Sequence, residues 1–358
     1  MGKRLILAIN PGSTSTKISL FEEDKLVFEN TLRHSVEDLS VFQKVTDQFN
    51  FRKDLILEEI RSRKIDTDRI VAIVGRGGLL KPIESGVYRV NERMKDDLAS
   101  ARYGQHASNL GALIAEELSN EFKNSTAYIA DPVVVDELQD VARISGHPAI
   151  ERKSIFHALN QKAVARTYCT LKGKKYEEVN LIIAHMGGGI SIGTHRKGRV
   201  VDVNNAFDGE GPLSPERSGS LPAGQLAALC FSGNYSHQEV KEMITGKGGM
   251  VAYIGTNSFV EAGKMAEKGD EKASLIRKAI AYQVSKEIGA AAAILYGKVD
   301  AIILTGGLAY DREHVDLIKA MVGFIADVEI YPGEDEMKSL ASKGLLVLEG
   351  KVDVRDYH

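Results

Sequence analysis

The sequence predicts an α/β protein built from two related domains. Three observations carry that prediction: a strand–turn–strand–turn–strand unit near the N-terminus, a second copy of it midway along the chain, and, after each copy, a helical stretch leading to a short apolar strand that ends in paired glycines. The 358 residues are too many for one ordinary core and about right for two. Apolar residues make up 43% of the chain, enough to fill both cores.

Residues 5–10 are mostly apolar and read as a buried strand. Pro11, Gly12, Ser13, Thr14 and Ser15 follow, a run that tolerates tight turns. Residues 17–21 and 26–32 read as the next two strands, separated by the polar turn 22–24. A strand over 70–74 leads into Gly75-Arg76-Gly77-Gly78, and the first half closes with a strand over 126–130. The segment 153–166 reads as a helix carrying His157. The second half repeats the opening: strand 181–185, the turn Gly187-Gly188-Gly189, strand 190–195, a turn at 196–198 and strand 199–203. The Ala-rich stretch 275–296 is a helix by propensity, packed in its own core or against another subunit. Strand 301–305 leads into Gly306-Gly307, and 327–331 is the last strand. One constant offset lays Ala8, Gly12 and Ser15 on Ala184, Gly188 and Ser191. The order β-β-β-α-β-α-β thus occurs twice, and a repeat of that size sets the fold.

Charge excludes some functions. Lys plus Arg number 46 and Asp plus Glu 49, a net charge of -3, without the basic excess expected of a nucleic-acid protein. The basic cluster 172–175 contains Gly173 and reads as a solvated turn. Cys169 and Cys230 lack metal-ligand spacing and read as thiols of a reducing compartment. The apolar run after Met1-Gly2-Lys3-Arg4 is too short for a signal peptide, and the stretch 288–296 is too short to span a bilayer. The expected location is cytoplasmic, with no membrane and no nucleic acid as partner.

Glycine-rich turns suggest a ligand. Without Cβ atoms, backbone N–H groups can approach a polyphosphate closely, and the hydroxyls of Ser13, Thr14 and Ser15 add donors. No G-x-x-x-x-G-K-[ST] loop is present, and no G-x-G-x-x-G follows a strand. Two equivalent turns and two Gly-Gly strand ends favour a nucleotide held in a cleft between the domains.

Six motifs now stand out: Asn10-Pro-Gly-Ser-Thr-Ser-Thr-Lys17, Gly75-Arg-Gly-Gly78, Phe156-His-Ala-Leu-Asn160, Ala184-His-Met-Gly-Gly-Gly189, Glu216-Arg-Ser-Gly219 and Thr305-Gly-Gly-Leu-Ala309. Through them the chain resembles the acetate and butyrate kinase family, within the sugar kinase, Hsp70 and actin superfamily. Pro11, Thr14, Ala158, Gln161 and Ser220 depart from the acetate kinase motifs, so the likeness is greater to the butyrate kinases. The resemblance implies two duplicated actin-like (ribonuclease H-like) domains, 1–149 plus about 337–358 and 150–336, facing an interdomain nucleotide cleft. It implies ATP/ADP and Mg2+ as cofactors, a short-chain carboxylic acid as substrate, and a homodimer or higher homo-oligomer.

The implied reaction moves the terminal phosphoryl group of ATP in line onto a carboxylate, giving an acyl phosphate and ADP, reversibly. The nucleophile is already an anion, so no base is needed. Bringing it to a polyanion calls for positioning and positive charge. By resemblance, Arg76 and Arg217 hold the carboxylate and neutralise the phosphoryl group, while His157 and His185 hydrogen-bond it in transit. Asp131 and either Asp335 or Glu336, with Glu336 preferred, serve Mg2+. Asn10 meets phosphate or the metal's water. Gly12, Ser13, Thr14, Ser15, Lys17, Gly187, Gly188 and Gly189 hold phosphates, and Gly306 and Gly307 admit the adenosine. Gly78 stands where acetate kinases carry a valine and is expected to leave room for butyrate or a branched acid, with Phe156 as another wall. Residues 132–135 line that pocket or simply end a buried strand. Two other readings share the superfamily. A sugar kinase would need a carboxylate base, for which Asp131 is the candidate. An actin- or Hsp70-like ATPase would lack the motifs at Phe156-His157 and Glu216-Arg217.

Overall fold

Apolar runs interrupted by glycine turns give two sheets in the computed structural model, which describes residues 3–358. Met1 and Gly2, the start of the basic N-terminus and of the first expected domain, lie outside the described residues. The chain separates into two units: the chain up to Val135 together with Asp335–His358, and Asp136–Glu334.

The first unit contains β1 (Leu5–Pro11), β2 (Ser15–Glu22), β3 (Lys25–Arg33), β4 (Ile70–Arg76), β5 (Val87–Arg89) and β6 (Thr126–Ala130). In its sheet the short strand Val354–Arg355 is followed by β5, β6, β4, β1, β2 and β3. The second unit contains β7 (Asn180–Met186), β8 (Ile190–Arg196), β9 (Arg199–Val203), β10 (Ala301–Gly306) and β11 (Val328–Pro332), ordered β11-β10-β7-β8-β9. In each unit the opening strand is antiparallel to the second and parallel to the fourth. The core order β6-β4-β1-β2-β3 therefore matches β11-β10-β7-β8-β9, and the duplicated α/β fold is present as expected.

Successive side chains of a strand point to opposite faces, so both faces of each sheet can be followed residue by residue. Leu7, Ile9 and Ile73 bury against Ile56, Ile60, Leu110 and Ile114 of the helices Phe49–Ser62 and Asn109–Glu121. Ile6, Ala72 and Val74 meet the helix Glu336–Leu348, where Gly344 permits the close approach. In the second unit Ile182, Ala184 and Met186 bury against the 24-residue helix Glu271–Ile294. That helix's apolar face is thus part of its own unit's core. Leu181 and Ile183 pack with Ala165, Tyr168 and Cys169 of the helix Ala158–Leu171.

These faces correct two expectations. Ala184 shares its face with the position of Leu7 and Ile9, not with that of Ala8, so the constant sequence offset is not kept. A slip of one residue exchanges the two faces of a strand. The turns also differ in length: Pro11 pairs with Thr16 across the first, whereas Met186 pairs with Ile190 across the second. Ser15 and Ser191 are therefore not equivalent. The division also falls after Val135 rather than after residue 149, and after Glu334 rather than 336. Its cause is a reciprocal exchange. The helix Ala158–Leu171, the first long one after β6, covers the second sheet, while the helix Glu336–Leu348 after β11 covers the first. Residues 136–149 travel with the former: Gln139 N–H donates to Val201 O at 3.0 Å, and Glu137 is ion-paired with Lys162 at 2.8 Å.

Strand bounds shift by a residue or two, with one useful result. β4 continues through Arg76 and β10 through Gly306, so these residues end strands rather than sit in loops. The helix expected over 153–166 spans Ala158–Leu171 and has His157 at its N-cap. Between β9 and the helix Glu271–Ile294 lie four shorter helices, Ala223–Cys230, His237–Ile244, Met250–Ile254 and Phe259–Glu267. The first of these has no buried residue.

Candidate active site

β1 and β4 run parallel, so Asn10 and Arg76 emerge side by side at their C-terminal ends. Glu336 opens the helix that covers the other face of these strands. Asn10 Nδ2 donates to Glu336 Oε2 at 2.5 Å, while Arg76 Nη1 donates to the same oxygen at 3.0 Å and to Asn10 Oδ1 at 3.3 Å. The two acids left open by the sequence differ in their contacts. Asp335 caps the helix, accepting from Lys338 N–H at 3.2 Å, and Glu336 joins Asn10 and Arg76.

The first turn is closed by Gly12 N–H donating to Ser15 O at 2.8 Å, with Ser13 and Thr14 exposed. Beneath it lies a residue that the sequence reading missed. Arg52 is fully buried, and its guanidinium donates to the carbonyls of Gly12 (2.8 Å), Ser13 (3.2 Å) and Ser15 (2.9 Å), to Thr16 Oγ1 and to Gln48 Oε1. Burial lowers its pKa to about 10. The available signal was an arginine at helical spacing from the buried Ile56 and Ile60. Behind Arg52, His34 Nε2 lies 2.9 Å from Thr16 Oγ1. Lys17 lies within β2 and pairs with Glu29 at 2.7 Å. Its ammonium thus has a carboxylate partner along the sheet.

Three expected site residues are tied into their own units. Asp131 has a positive φ of 39° and is buried. Its Oδ2 lies 2.7 Å from Lys343 Nζ, and its Oδ1 accepts from Ser85 Oγ at 2.6 Å and Gly86 N–H at 2.9 Å. These contacts tie the end of β6 to the helix Glu336–Leu348. Gly78 opens no pocket: a Cβ there would lie 2.4 Å from Asn109 Oδ1 and 2.5 Å from its Cα. Its glycine is required by that helix start. Phe156, 2% exposed, is a core residue of the second unit.

In the second unit the rings of His157 and His185 stack with centroids 3.7 Å apart and planes 11° from parallel. His185 Nδ1 lies 2.8 Å from Asn160 Oδ1, and its Nε2 lies 2.8 Å from Glu334 Oε1. His157 Nδ1 lies 2.9 Å from Ser191 Oγ. The sequence reading missed Glu334; its contact with His185 depends on the β7 and β11 strand ends and has no sequence signal.

The Gly187-Gly188-Gly189 turn is closed by Gly187 N–H donating to Gly189 O at 3.0 Å. Each glycine makes room for a charged neighbour. A Cβ on Gly187 would sit 3.2 Å from Glu334 Oε1, one on Gly188 3.3 Å from Glu216 Oε2, and one on Gly189 2.1 Å from Arg217 Nη1. Arg217 lies against the turn with its guanidinium 5.4 Å above the Phe207 ring and a hydrogen bond to Ala206 O. Burial lowers its pKa and Glu216 opposes that shift. Among the described residues it forms no ion pair closer than 4 Å. Gly306 has φ of 87°, and a Cβ there would lie 2.4 Å from Met186 O. Gly307 faces open space.

Among the described residues, no group of three or more His, Cys, Asp or Glu side chains is placed to hold a metal, and no helix is long and apolar enough to cross a membrane. Residues 147–338 match the acetokinase family. The chain is 54% identical to butyrate kinase 2 and to butyrate kinase 1 of Clostridium acetobutylicum, in each case over 98% of this chain and 99% of the relative. Among solved structures it resembles the acetate kinase of Porphyromonas gingivalis, with a TM-score of 0.75 and 19% identity over 96% of this chain and 100% of that one. A propionate kinase from Francisella tularensis matches with the same TM-score, 18% identity and coverage of 95% and 98%. At such identities these two likenesses speak for the fold alone.

Proposed function

The chain belongs to the acetokinase family, and on that premise we propose that it is a butyrate kinase, transferring a phosphoryl group reversibly between ATP and the carboxylate of butyrate or a related short or branched acid. The observation that carries this reading is 54% identity to two butyrate kinases over nearly the whole length of both partners. Butyrate as the acid rests on those relatives and no longer on Gly78, whose missing side chain is accounted for by Asn109.

The residues supply what such a reaction needs. A carboxylate requires no deprotonation, and neither unit presents an uncommitted carboxylate base at the expected place: Asp131 is clamped. This disfavours the sugar kinase alternative. Arg217, pressed to the glycine triplet without an acidic partner, is suited to neutralise a phosphoryl group. Arg76 shares Glu336 with Asn10 and is suited to hold the acid's carboxylate. The stacked histidines offer hydrogen bonds to the group in transit, and the first turn, braced by Arg52, offers N–H and hydroxyl donors to phosphate.

Mg2+ fits this set as an ion that keeps its waters and takes phosphate oxygens, since the chain offers Glu336 and Asn10 rather than a full ligand cage. Bound there, it would neutralise phosphate charge. A homodimer or larger assembly belongs to the same reading, in keeping with the apolar and uncovered helix Ala223–Cys230. So does a cytoplasmic location, in keeping with free Cys169 and Cys230.

Trapping of acyl phosphate with hydroxylamine tests the reading, using Mg-ATP with acetate, propionate, butyrate or isobutyrate. Strong product from butyrate or isobutyrate and little from acetate is expected. Product mainly from acetate would replace the acid while keeping the chemistry. No product from any acid would overturn the assignment.

A further inference from the structure

A buried chain of hydrogen bonds runs from Tyr176 to His157, and its polarity can be read from one carbonyl. Ser191 O can only accept, so the Gln161 atom 3.0 Å from it must be the amide nitrogen. The same nitrogen donates to Ser191 Oγ at 2.9 Å. Gln161 Oε1 consequently faces His195 Nε2 at 2.9 Å, and that nitrogen must carry a hydrogen. His195 is fully buried, and burial with the nearby Lys162 and Arg166 charges holds its pKa well below the usual value. Its Nδ1 is then bare and accepts from Tyr176 O–H at 2.6 Å. Gly193 leaves the space for this junction: a Cβ there would lie 2.2 Å from Gln161 Oε1 and 2.9 Å from His195 Nε2.

At the other end, Ser191 Oγ has accepted from Gln161 and has one hydrogen to give. Ser191 is buried, and among the described residues the acceptor within reach of that hydroxyl is His157 Nδ1 at 2.9 Å. Were His157 protonated at Nδ1, the serine hydrogen would be left buried without an acceptor, at a cost comparable to a lost hydrogen bond. We propose that Ser191 and Gln161 are positioning residues: the chain Tyr176–His195–Gln161–Ser191 holds His157 in the tautomer whose proton is on Nε2, with Nδ1 as acceptor. A histidine held this way presents a hydrogen-bond donor to a phosphoryl oxygen without first having to exchange a proton. The use of that donor rests on the carboxylate kinase reading above; the tautomer itself does not.

The test is two-bond 15N–1H correlation of the full-length, histidine-labelled protein, with the His157 signals identified by their loss in His157→Gln. The unsubstituted protein should show His157 with a bare Nδ1 and a protonated Nε2. Ser191→Ala, and independently Gly193→Ala, which touches neither His157 nor Ser191, should each turn that pattern into a mixture. Each should lower kcat on the order of 10- to 100-fold while the KM for ATP stays within about twofold. A protonated Nδ1 in the unsubstituted protein, or an unchanged pattern in Ser191→Ala, overturns the proposal. Should the expected pattern appear in a protein that forms no acyl phosphate, the tautomer assignment stands and the functional reading fails.

Discussion

Lys343 Nζ and Asp131 Oδ2 lie 2.7 Å apart with both side chains nearly closed to solvent, so the end of β6 is fastened to the helix Glu336–Leu348 by a buried ion pair. Removing one partner of such a pair leaves an uncompensated charge. Lys343→Met should destabilise the first unit by about 3–5 kcal/mol, read as a lower urea midpoint. Asp131→Asn should also cost stability, yet leave the Mg2+ concentration for half-maximal activity unchanged. A large rise in that concentration would return Asp131 to the metal site.

Arg217 should not tolerate conservative replacement. Lysine carries the charge but lacks the planar fork that can bond Ala206 O and still face the glycine turn. Arg217→Lys should lower kcat roughly 10²–10³-fold in the hydroxylamine assay, with a smaller change in KM for ATP. Retention of a third or more of the activity would remove Arg217 from the phosphoryl-neutralising role.

Gly78→Val is expected to act on folding, not on choice of acid. Its side chain would run into the start of the helix Asn109–Glu121. The yield of folded protein and its melting temperature should fall, while the ratio of butyrate to acetate turnover in the folded fraction stays constant. A shifted ratio with unchanged stability would restore the pocket-widening idea.

Acid should weaken both units through buried imidazoles. His34 and His314 have pKa values lowered to about 4, in each case chiefly by burial, with Arg52 adding to the effect at His34 and Arg277 at His314. The unfolded chain binds these protons near pH 6.5 and the folded chain does not. Stability is therefore full above pH 6.5, declines as pH falls and levels off near pH 4, by up to about 3 kcal/mol per residue. Urea midpoints from pH 7 to 4.5 should show the decline, with a shallower slope in His34→Gln. An identical slope would place the titration elsewhere.

Much of this was legible in advance because it is local. Apolar runs bounded by glycine mark β1, β4, β7 and β10, and the strand ends they predict are where Asn10, Arg76, His185 and Gly306 stand. The two-fold repeat was legible in element order but not in register, because Ala8 and Ala184 match as letters while facing opposite sides. The strands Val87–Arg89 and Val354–Arg355 are too short to show a pattern. The pairing of Asp131 with Lys343 was not legible because the two are far apart along the chain. Ser191, His195 and Glu334 owe their roles to long-range packing, and no spacing announces them; for Arg52 the helical spacing to Ile56 and Ile60 marks a buried position but not the turn it braces. Gly78 shows the same limit from the other side. A missing side chain reads as space until the neighbour that fills it is known.

The exchange of covering helices bears on how the molecule is made. Synthesis delivers β1 to β6 first, yet Ile6 and Val74 wait for Gly344, and Asn10 and Arg76 wait for Glu336, which leave the ribosome only after every strand of the second unit. Domains usually fold in the order they are translated. Here the second unit, whose covering helix Ala158–Leu171 precedes its strands, can close while the earlier-made one is still open. The half translated first is thus the half completed last, and a nascent chain stalled short of Glu336 would carry an uncovered sheet face for chaperones to shield.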